Sequence, residues 1–337
     1  MPAEFWTEAR QMAEAGAIVA AVALPAGLAC RLAARRPLLP PVKPWRVPWT
    51  GVELFGTFVL VAVLIPMLFA RAGVDPLAVG LAALPAQLAF LVVAARVLYP
   101  AWNPFRDPQP LRPDDLAYVP DAPRAGPNYA GLFAVAVAAW AVLTPLVLLF
   151  HAGVLQVFTA LDLTPDEHPL TQFRDGDSTT RVLFLLQACV AAPLVEEILF
   201  RGVLLPWVVG ASERPKAAAP VLVAPEYRPW VVMAVAGLFA ATTGKPGPAV
   251  FAGVLAAGLV VVWVVVRRGK RHVRAVYATA AFFALVHSGV WPSPIPLFLL
   301  ALGLGFLAVR TRGVFAPFVV HGLFNAVSAV YVLRAPA

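Results

Sequence analysis

Charged residues are scarce in this chain of 337 residues, where Asp, Glu, Lys and Arg make up 13% and hydrophobic residues 61%. Soluble globular domains ordinarily carry about 25% charged residues. Together with a mean hydropathy of +0.80, this scarcity excludes the ordinary soluble class. We therefore predict a polytopic integral membrane protein.

Cysteine is also rare, with only Cys30 and Cys189, and both fall within apolar runs. Neither has metal-ligand spacing, so we interpret them as small apolar packing residues. The H-E-x-x-H motif of zincins is missing, and no serine or cysteine nucleophile is evident. The two cysteines thus say little about the redox compartment, and the sequence gives no sign of the common nucleophilic proteases.

Long apolar runs, by contrast, recur along the whole chain. A run of about 18 or more mostly apolar residues can cross the ~30 Å hydrocarbon core as a helix. We predict an all-α bundle of about ten transmembrane helices, with eight as the lower bound. The predicted spans are 15–32, 51–70, 76–98, 129–150, 181–205, 229–244, 248–266, 275–290, 295–309 and 313–333.

The net charge of +8 comes from basic residues in short loops between spans. This placement argues against nucleic-acid binding and follows the positive-inside rule. We predict that the 267–274 loop is cytoplasmic, that the acidic 151–180 connection is external, and that both termini are external. Within that connection, the spacing predicts a short capped helix beginning at Thr164.

Polar residues inside the predicted spans need a specific explanation. The stretch VEEILFRG carries Glu196, Glu197 and Arg201, and a lone charge at mid-bilayer costs about 2.5–3.5 kcal/mol. Glu197 and Arg201 are four residues apart on one helix face and can neutralise each other. Glu196 is turned by about 100° and needs another partner.

Two histidines, His287 and His321, also lie inside apolar runs, and Asn325 follows His321 by one helical turn. Helix lengths allow Glu196 and both histidines to meet between the midplane and the cytoplasmic side. A carboxylate with a histidine can activate water, and a second histidine with an amide can donate to an oxyanion. This combination is typical of peptide hydrolysis.

The ordered motifs E-E-x-x-x-R (Glu196, Glu197, Arg201), F-x-x-x-H (Phe283, His287) and H-x-x-x-N (His321, Asn325) resemble the CPBP family of intramembrane proteases. This is the CAAX protease, bacteriocin-processing or Abi family. The resemblance covers about residues 180–333.

The resemblance implies a role for each matched residue. Glu196 with His287 would activate the hydrolytic water, and His321 with Asn325 would form the oxyanion site. Glu197 and Arg201 would hold the pocket together. No cofactor is expected in this mechanism. Zinc held by Glu196, His287 and His321 is the mechanistic alternative.

The resemblance also divides the chain. Residues 1–178 are predicted to form four N-terminal spans with proline-rich loops, and residues 179–337 a catalytic membrane domain. In relatives the F-x-x-x-H helix follows the first motif closely, so we interpret 229–266 as an inserted helical hairpin. The expected location is the bacterial inner (cytoplasmic) membrane.

The expected partners are the lipid bilayer and a membrane-anchored peptide or protein substrate. Two other functions are considered. A non-catalytic scaffold or immunity factor would be expected to lose at least one motif residue, and none is missing. A transporter with a proton relay would be expected to show paired repeats, and none is evident.

Overall fold

The computed structural model describes residues 128–167, 171, 178–212, 223–266 and 270–334, with scattered positions before residue 55. Helix makes up 85% of the structure, which confirms the all-α class. The helical content follows from the sequence, because backbone groups in lipid must be paired within the same segment.

Seven helices follow one another in the described part of the chain. They are α1 (Tyr129–Ala160), α2 (Ser178–Val209), α3 (Arg228–Thr242), α4 (Pro246–Val265), α5 (Lys270–Val286), α6 (Pro294–Thr311) and α7 (Phe315–Arg334). A two-residue parallel pair joins β1 (Arg46–Val47) to β2 (Ala211–Ser212).

Each of the last seven predicted spans corresponds to one of these helices. Four of them, α1, α2, α4 and α6, are long and apolar enough to cross a membrane, and α3 and α7 contain shorter apolar helices. The first three predicted spans and the proline-rich 100–127 loop lie outside the described residues. The total of eight to ten spans therefore stays a prediction.

Helix α5 differs from its predicted span. It begins at Lys270, within the basic stretch predicted to be a loop, and ends at Val286 rather than at residue 290. Long basic side chains tolerate a helix end near the membrane surface. Gly289 and Pro292 favour the turn that follows. His287 accordingly lies in this turn and not inside a span.

The capped helix predicted to begin at Thr164 is wrong for the residues described there. Residues 163–167 are not helical. The Asp166 carboxylate accepts hydrogen bonds from the Trp291 backbone N–H and from Lys245 instead of capping a helix. A distant partner has overridden a local signal.

The chain forms two compact units, each built from separate stretches of sequence. The first contains residues 1–42, 134–169 and 228–310, and the second contains 43–133, 170–227 and 311–337. The predicted division at residue 178 is not tested by this and stays a prediction.

In the first unit α5 packs against both α3 and α4, which form a helical hairpin. Gly244, with a φ of +66°, ends α3 and begins the turn. Pro246 then starts α4, at a position where its missing N–H costs nothing. The sequence thus determines the α3–α4 hairpin locally.

In the second unit α7 packs against the middle of α2. Helix α2 is not uniform, because the segments Gln187–Ala191 and Ile198–Leu204 are π-helical. Gly322 of α7 permits a close approach, since a Cβ there would lie 2.5 Å from the Cys189 carbonyl oxygen. The backbones of α2 and α7 are therefore nearly in contact.

We expect Gly322→Ala to destabilise the protein by about 1–3 kcal/mol, because the new methyl group would force α7 away from α2. The measurement is the midpoint of thermal unfolding in detergent. Gly253→Ala on α4 is the matched control, since nothing lies within 4 Å of its Cβ position. Equal midpoints for both variants would contradict this close packing.

Candidate active site

The two adjacent glutamates lie on a short α-helical segment, Ala192–Glu197, between the two π-helical segments of α2. Because successive helical residues are rotated by about 100°, the two carboxylates point in different directions. Glu197 is completely buried, whereas the Glu196 side chain is 26% exposed. The Glu196 side chain is therefore partly accessible, whereas the Glu197 side chain is enclosed by protein.

Glu197 is held by two partners on the same oxygen. Arg201 Nη1 donates to Glu197 Oε1 at 2.9 Å, as the four-residue spacing predicts. His321 Nδ1 lies 2.9 Å from the same oxygen. Arg201 and His321 are each 3% exposed, so the network is buried. Buried carboxylates need such pairing to be tolerated.

The contact between His321 and Glu197 was not predicted from the sequence. An ionised carboxylate only accepts hydrogen bonds, so the Glu197 contact places a proton on His321 Nδ1. His321 Nε2 then lies 3.7 Å from Glu196 Oε2. This distance is too long for a direct hydrogen bond and suits a bridging water.

Asn325 lies on α7 one turn after His321 and donates from Nδ2 to the Ala188 carbonyl at 2.8 Å. Ala188 belongs to the first π-helical segment, where the wider hydrogen-bond spacing changes which carbonyls are paired. An amide nitrogen carries two hydrogens, so one donor remains for another acceptor. No side-chain signal could have predicted this backbone partner.

Phe283 and His287 belong to the first unit. His287 Nδ1 lies 2.7 Å from the Phe283 carbonyl oxygen, and the two rings are 4.8 Å apart. The His287 backbone N–H bonds to Ala284 instead, so the imidazole takes a carbonyl of the last helical turn. The imidazole thus contacts the backbone carbonyl of the Phe in the F-x-x-x-H motif.

A carbonyl oxygen only accepts hydrogen bonds, so this contact places a proton on Nδ1 of His287. In the neutral ring, Nε2 is then the nitrogen that can accept a proton. His287 is accordingly suited to act as a base.

The structure brings Glu196, Glu197, Arg201, His321 and Asn325 together in the second unit. Phe283 and His287 are together in the first unit. The predicted cooperation of Glu196 with His287 therefore stays a prediction. Over the described ranges of the chain, no group of three or more His, Cys, Asp or Glu side chains is arranged to hold a metal ion.

We expect Arg201→Met to lower the free energy of unfolding by about 3–5 kcal/mol, because it leaves the Glu197 charge buried without its cation. The double variant Glu197→Gln/Arg201→Met removes both charges and should be more stable than the single variant. Thermal unfolding in detergent measures both. A double variant as unstable as Arg201→Met would contradict the importance of charge pairing.

Comparison with known proteins gives one match. The model of the family described as type II CAAX prenyl endopeptidase Rce1-like matches residues 178–273 and 267–327, somewhat less than half of the chain. Neither the curated proteins nor the solved structures show a match. The match agrees with the resemblance seen in the three motifs and, with the apolar helices, indicates an integral membrane protein. Through residues 178–327, the chain is similar to the Rce1-like type II CAAX prenyl endopeptidase family.

Proposed function

We propose that the protein is an intramembrane endopeptidase that hydrolyses a peptide bond in a membrane-associated peptide or protein tail. The similarity of residues 178–327 to the Rce1-like family supports a peptidase. The observation that carries the proposal is the buried Arg201–Glu197–His321 network. It holds His321 Nε2 3.7 Å from Oε2 of the partly exposed Glu196 carboxylate, and we place the attacking water beside these two atoms.

The first chemical step is the attack of water on the scissile carbonyl. Glu196 takes a proton from the water, and the water oxygen forms a bond to the carbonyl carbon. The π electrons of that carbonyl move to its oxygen and produce an oxyanion. His287 assists by accepting a hydrogen bond from the same water through Nε2.

The oxyanion needs hydrogen-bond donors that are already in place. His321 donates through Nε2–H when both ring nitrogens are protonated, and Glu197 stabilises the resulting charge. Asn325 contributes its second amide hydrogen while the first holds the Ala188 carbonyl. Because both donors are fixed by other bonds, little reorganisation is needed during the reaction.

The intermediate then breaks down. The electrons return from the oxyanion to rebuild the C=O bond, and the C–N bond breaks. The departing nitrogen takes the proton that Glu196 had received, which gives an amine and a carboxylic acid. Glu196 ends in its starting ionised state, so the cycle consumes only water.

The membrane surroundings of the site and the family description support a substrate class. The family description names a CAAX prenyl endopeptidase. We propose a tail anchored in the bilayer, prenylated or otherwise attached, presented in the bacterial inner membrane. An anchored tail pays less translational entropy to reach an intramembrane site than a soluble peptide does.

A zinc-dependent version would use Glu196, His287 and His321 as ligands and would polarise the same carbonyl. A scaffold or immunity factor would bind a partner and cleave nothing. The experiment below separates these three possibilities.

We expect Glu196→Gln to lower kcat by about 10²–10⁴-fold, because the amide cannot accept the proton of water. Purified protein would be assayed against a library of lipid-anchored tail peptides, with His287→Ala in parallel. Glu226→Gln is the matched control, because Glu226 is exposed in a loop. Cleavage should persist with a chelator. Loss of wild-type activity on chelation would favour the zinc version, and a library that the wild type leaves intact would favour the scaffold.

We expect Asn325→Ala to lower kcat by about 10²–10³-fold with little change in KM, because the lost donor acts on the oxyanion and not on the bound substrate. Ser328→Ala is the matched control on the same helix, since its hydroxyl bonds only to the Phe324 carbonyl in the described contacts. Steady-state kinetics on the best library peptide measures both. A rise in KM alone would contradict the oxyanion role.

A further inference from the structure

The α3–α4 hairpin packs against α5, the helix that ends just before His287. At the start of α5, the Arg274 guanidinium lies 3.6 Å from the centre of the Trp263 ring on α4. Arg274 Nη2 also donates to the Trp263 carbonyl at 2.6 Å. A cation stacked on an indole and bonded to its backbone fixes this end of α5.

Further contacts join the middle of α5 to both helices of the hairpin. The Tyr277 hydroxyl donates to the Leu255 carbonyl on α4 at 2.9 Å. The Phe239 ring on α3 lies 5.7 Å from the Phe282 ring, one residue before Phe283. Phe282 and Phe283 are both almost completely buried. The helix segment that carries the F-x-x-x-H motif is therefore packed directly against the hairpin.

A further set of contacts lies just beyond His287, in the turn of residues 287–293. The Trp291 N–H donates to Asp166 Oδ2 at 2.7 Å, and the Asp166 N–H donates back to the Trp291 carbonyl at 2.8 Å. Lys245, in the hairpin turn, donates to the same carboxylate oxygen at 2.5 Å. We call Asp166, Lys245 and Trp291 the Asp166 latch.

The latch connects to His287 through a short chain of bonds. The Val290 N–H, one residue before Trp291, donates to the His287 carbonyl at 3.2 Å. The Trp291 ring packs against the rings of Phe158 and Phe251, each at a centroid distance of 6.2 Å. Gly247 leaves room for this ring, because a Cβ there would lie 2.6 Å from it.

The three residues of the latch lie in three different loops. The charge pattern predicts that these loops are on the same side of the membrane. Asp166 lies in the acidic 151–180 connection, Lys245 between the sixth and seventh predicted spans, and Trp291 after the eighth. Their contact agrees with an even number of crossings between them. The turn that contains His287 is thus anchored to two other loops.

We propose that the α3–α4 hairpin positions His287, and that Asp166 is the residue that fixes the 287–293 turn. The inference rests on the proposed function, in which His287 assists the attacking water. Asp166 touches neither substrate nor water in this role. It is a positioning residue. The α3–α4 hairpin, which we interpret as an insertion, then supports the active site.

The ionisation of Asp166 suits a permanent contact. The hydrogen bonds from Lys245 and from the Trp291 N–H lower the pKa of this carboxyl below its usual value. A depressed pKa stabilises the folded state above the ordinary Asp value of about 3.9, and this stabilisation is lost as the pH falls through the folded-state pKa. The latch therefore stays charged at neutral pH.

Three substitutions separate the bonds of the latch. Asp166→Ala removes the acceptor for both Trp291 and Lys245. Asp166→Asn keeps an acceptor for the Trp291 N–H and removes the charge. Lys245→Met removes only the cation. Asp162→Asn is the matched control, because it removes one exposed carboxylate from the same connection.

The experiment measures hydrogen–deuterium exchange of the 287–293 peptide and cleavage kinetics on the full-length protein. Asp166→Ala should accelerate exchange in this peptide by about 10- to 100-fold, because the Trp291 amide loses its acceptor. It should lower kcat by about 10- to 100-fold with KM nearly unchanged, as expected for a displaced catalytic group. Asp166→Asn should keep most of the wild-type protection from exchange and most of the wild-type kcat. Lys245→Met should change both quantities only slightly.

The outcomes distinguish the latch from the proposed function. Unchanged exchange in Asp166→Ala would show that Asp166 does not fix the 287–293 turn. Faster exchange with unchanged kcat would overturn the positioning of His287 and leave the protease proposal intact. A wild-type protein that cleaves no tail, but shows faster exchange only in Asp166→Ala, would overturn the protease proposal while supporting the latch as a structural feature.

Discussion

The buried carboxylate of Glu197 is the constraint on which the candidate site depends. An ionised carboxylate with no exposure to solvent is tolerated only when cations or strong donors surround it. Arg201 supplies one donor from the same helix, and His321 supplies another from α7. The need to pair one charge therefore fixes the orientation of the imidazole and connects α2 with α7.

The backbone of α2 contributes as directly as its side chains. Two π-helical segments flank the glutamate pair, and such segments are frequent at functional sites because they alter the regular pairing of carbonyls. The Ala188 carbonyl is satisfied by Asn325 from α7. Gly322, between the two polar residues of α7, permits the approach that makes this bond possible. Polar chemistry and close packing thus depend on the same stretch of helix.

Part of this arrangement was predictable because it is local. Apolar runs predicted the last seven helices, and the four-residue spacing predicted the Glu197–Arg201 pair. The His321–Glu197 bond joins residues 124 positions apart, so no local pattern contains it. The non-helical conformation at Asp166 depends on Trp291, which lies 125 positions away in the sequence. Every residue has a backbone carbonyl, so the sequence does not indicate that the one at Ala188 will accept this bond.

The two histidines differ in the oxygen that each Nδ1 contacts, the neutral Phe283 carbonyl for His287 and the Glu197 carboxylate for His321. Because Nδ1 is occupied in both rings, Nε2 is the nitrogen that can take part in the proposed reaction. The proposed mechanism uses His287 to accept a hydrogen bond from water, and a neutral carbonyl on Nδ1 is compatible with that use. It uses His321 as a donor to the oxyanion, and the Glu197 carboxylate orients that ring. The two proposed roles therefore differ in the same way as the two Nδ1 contacts.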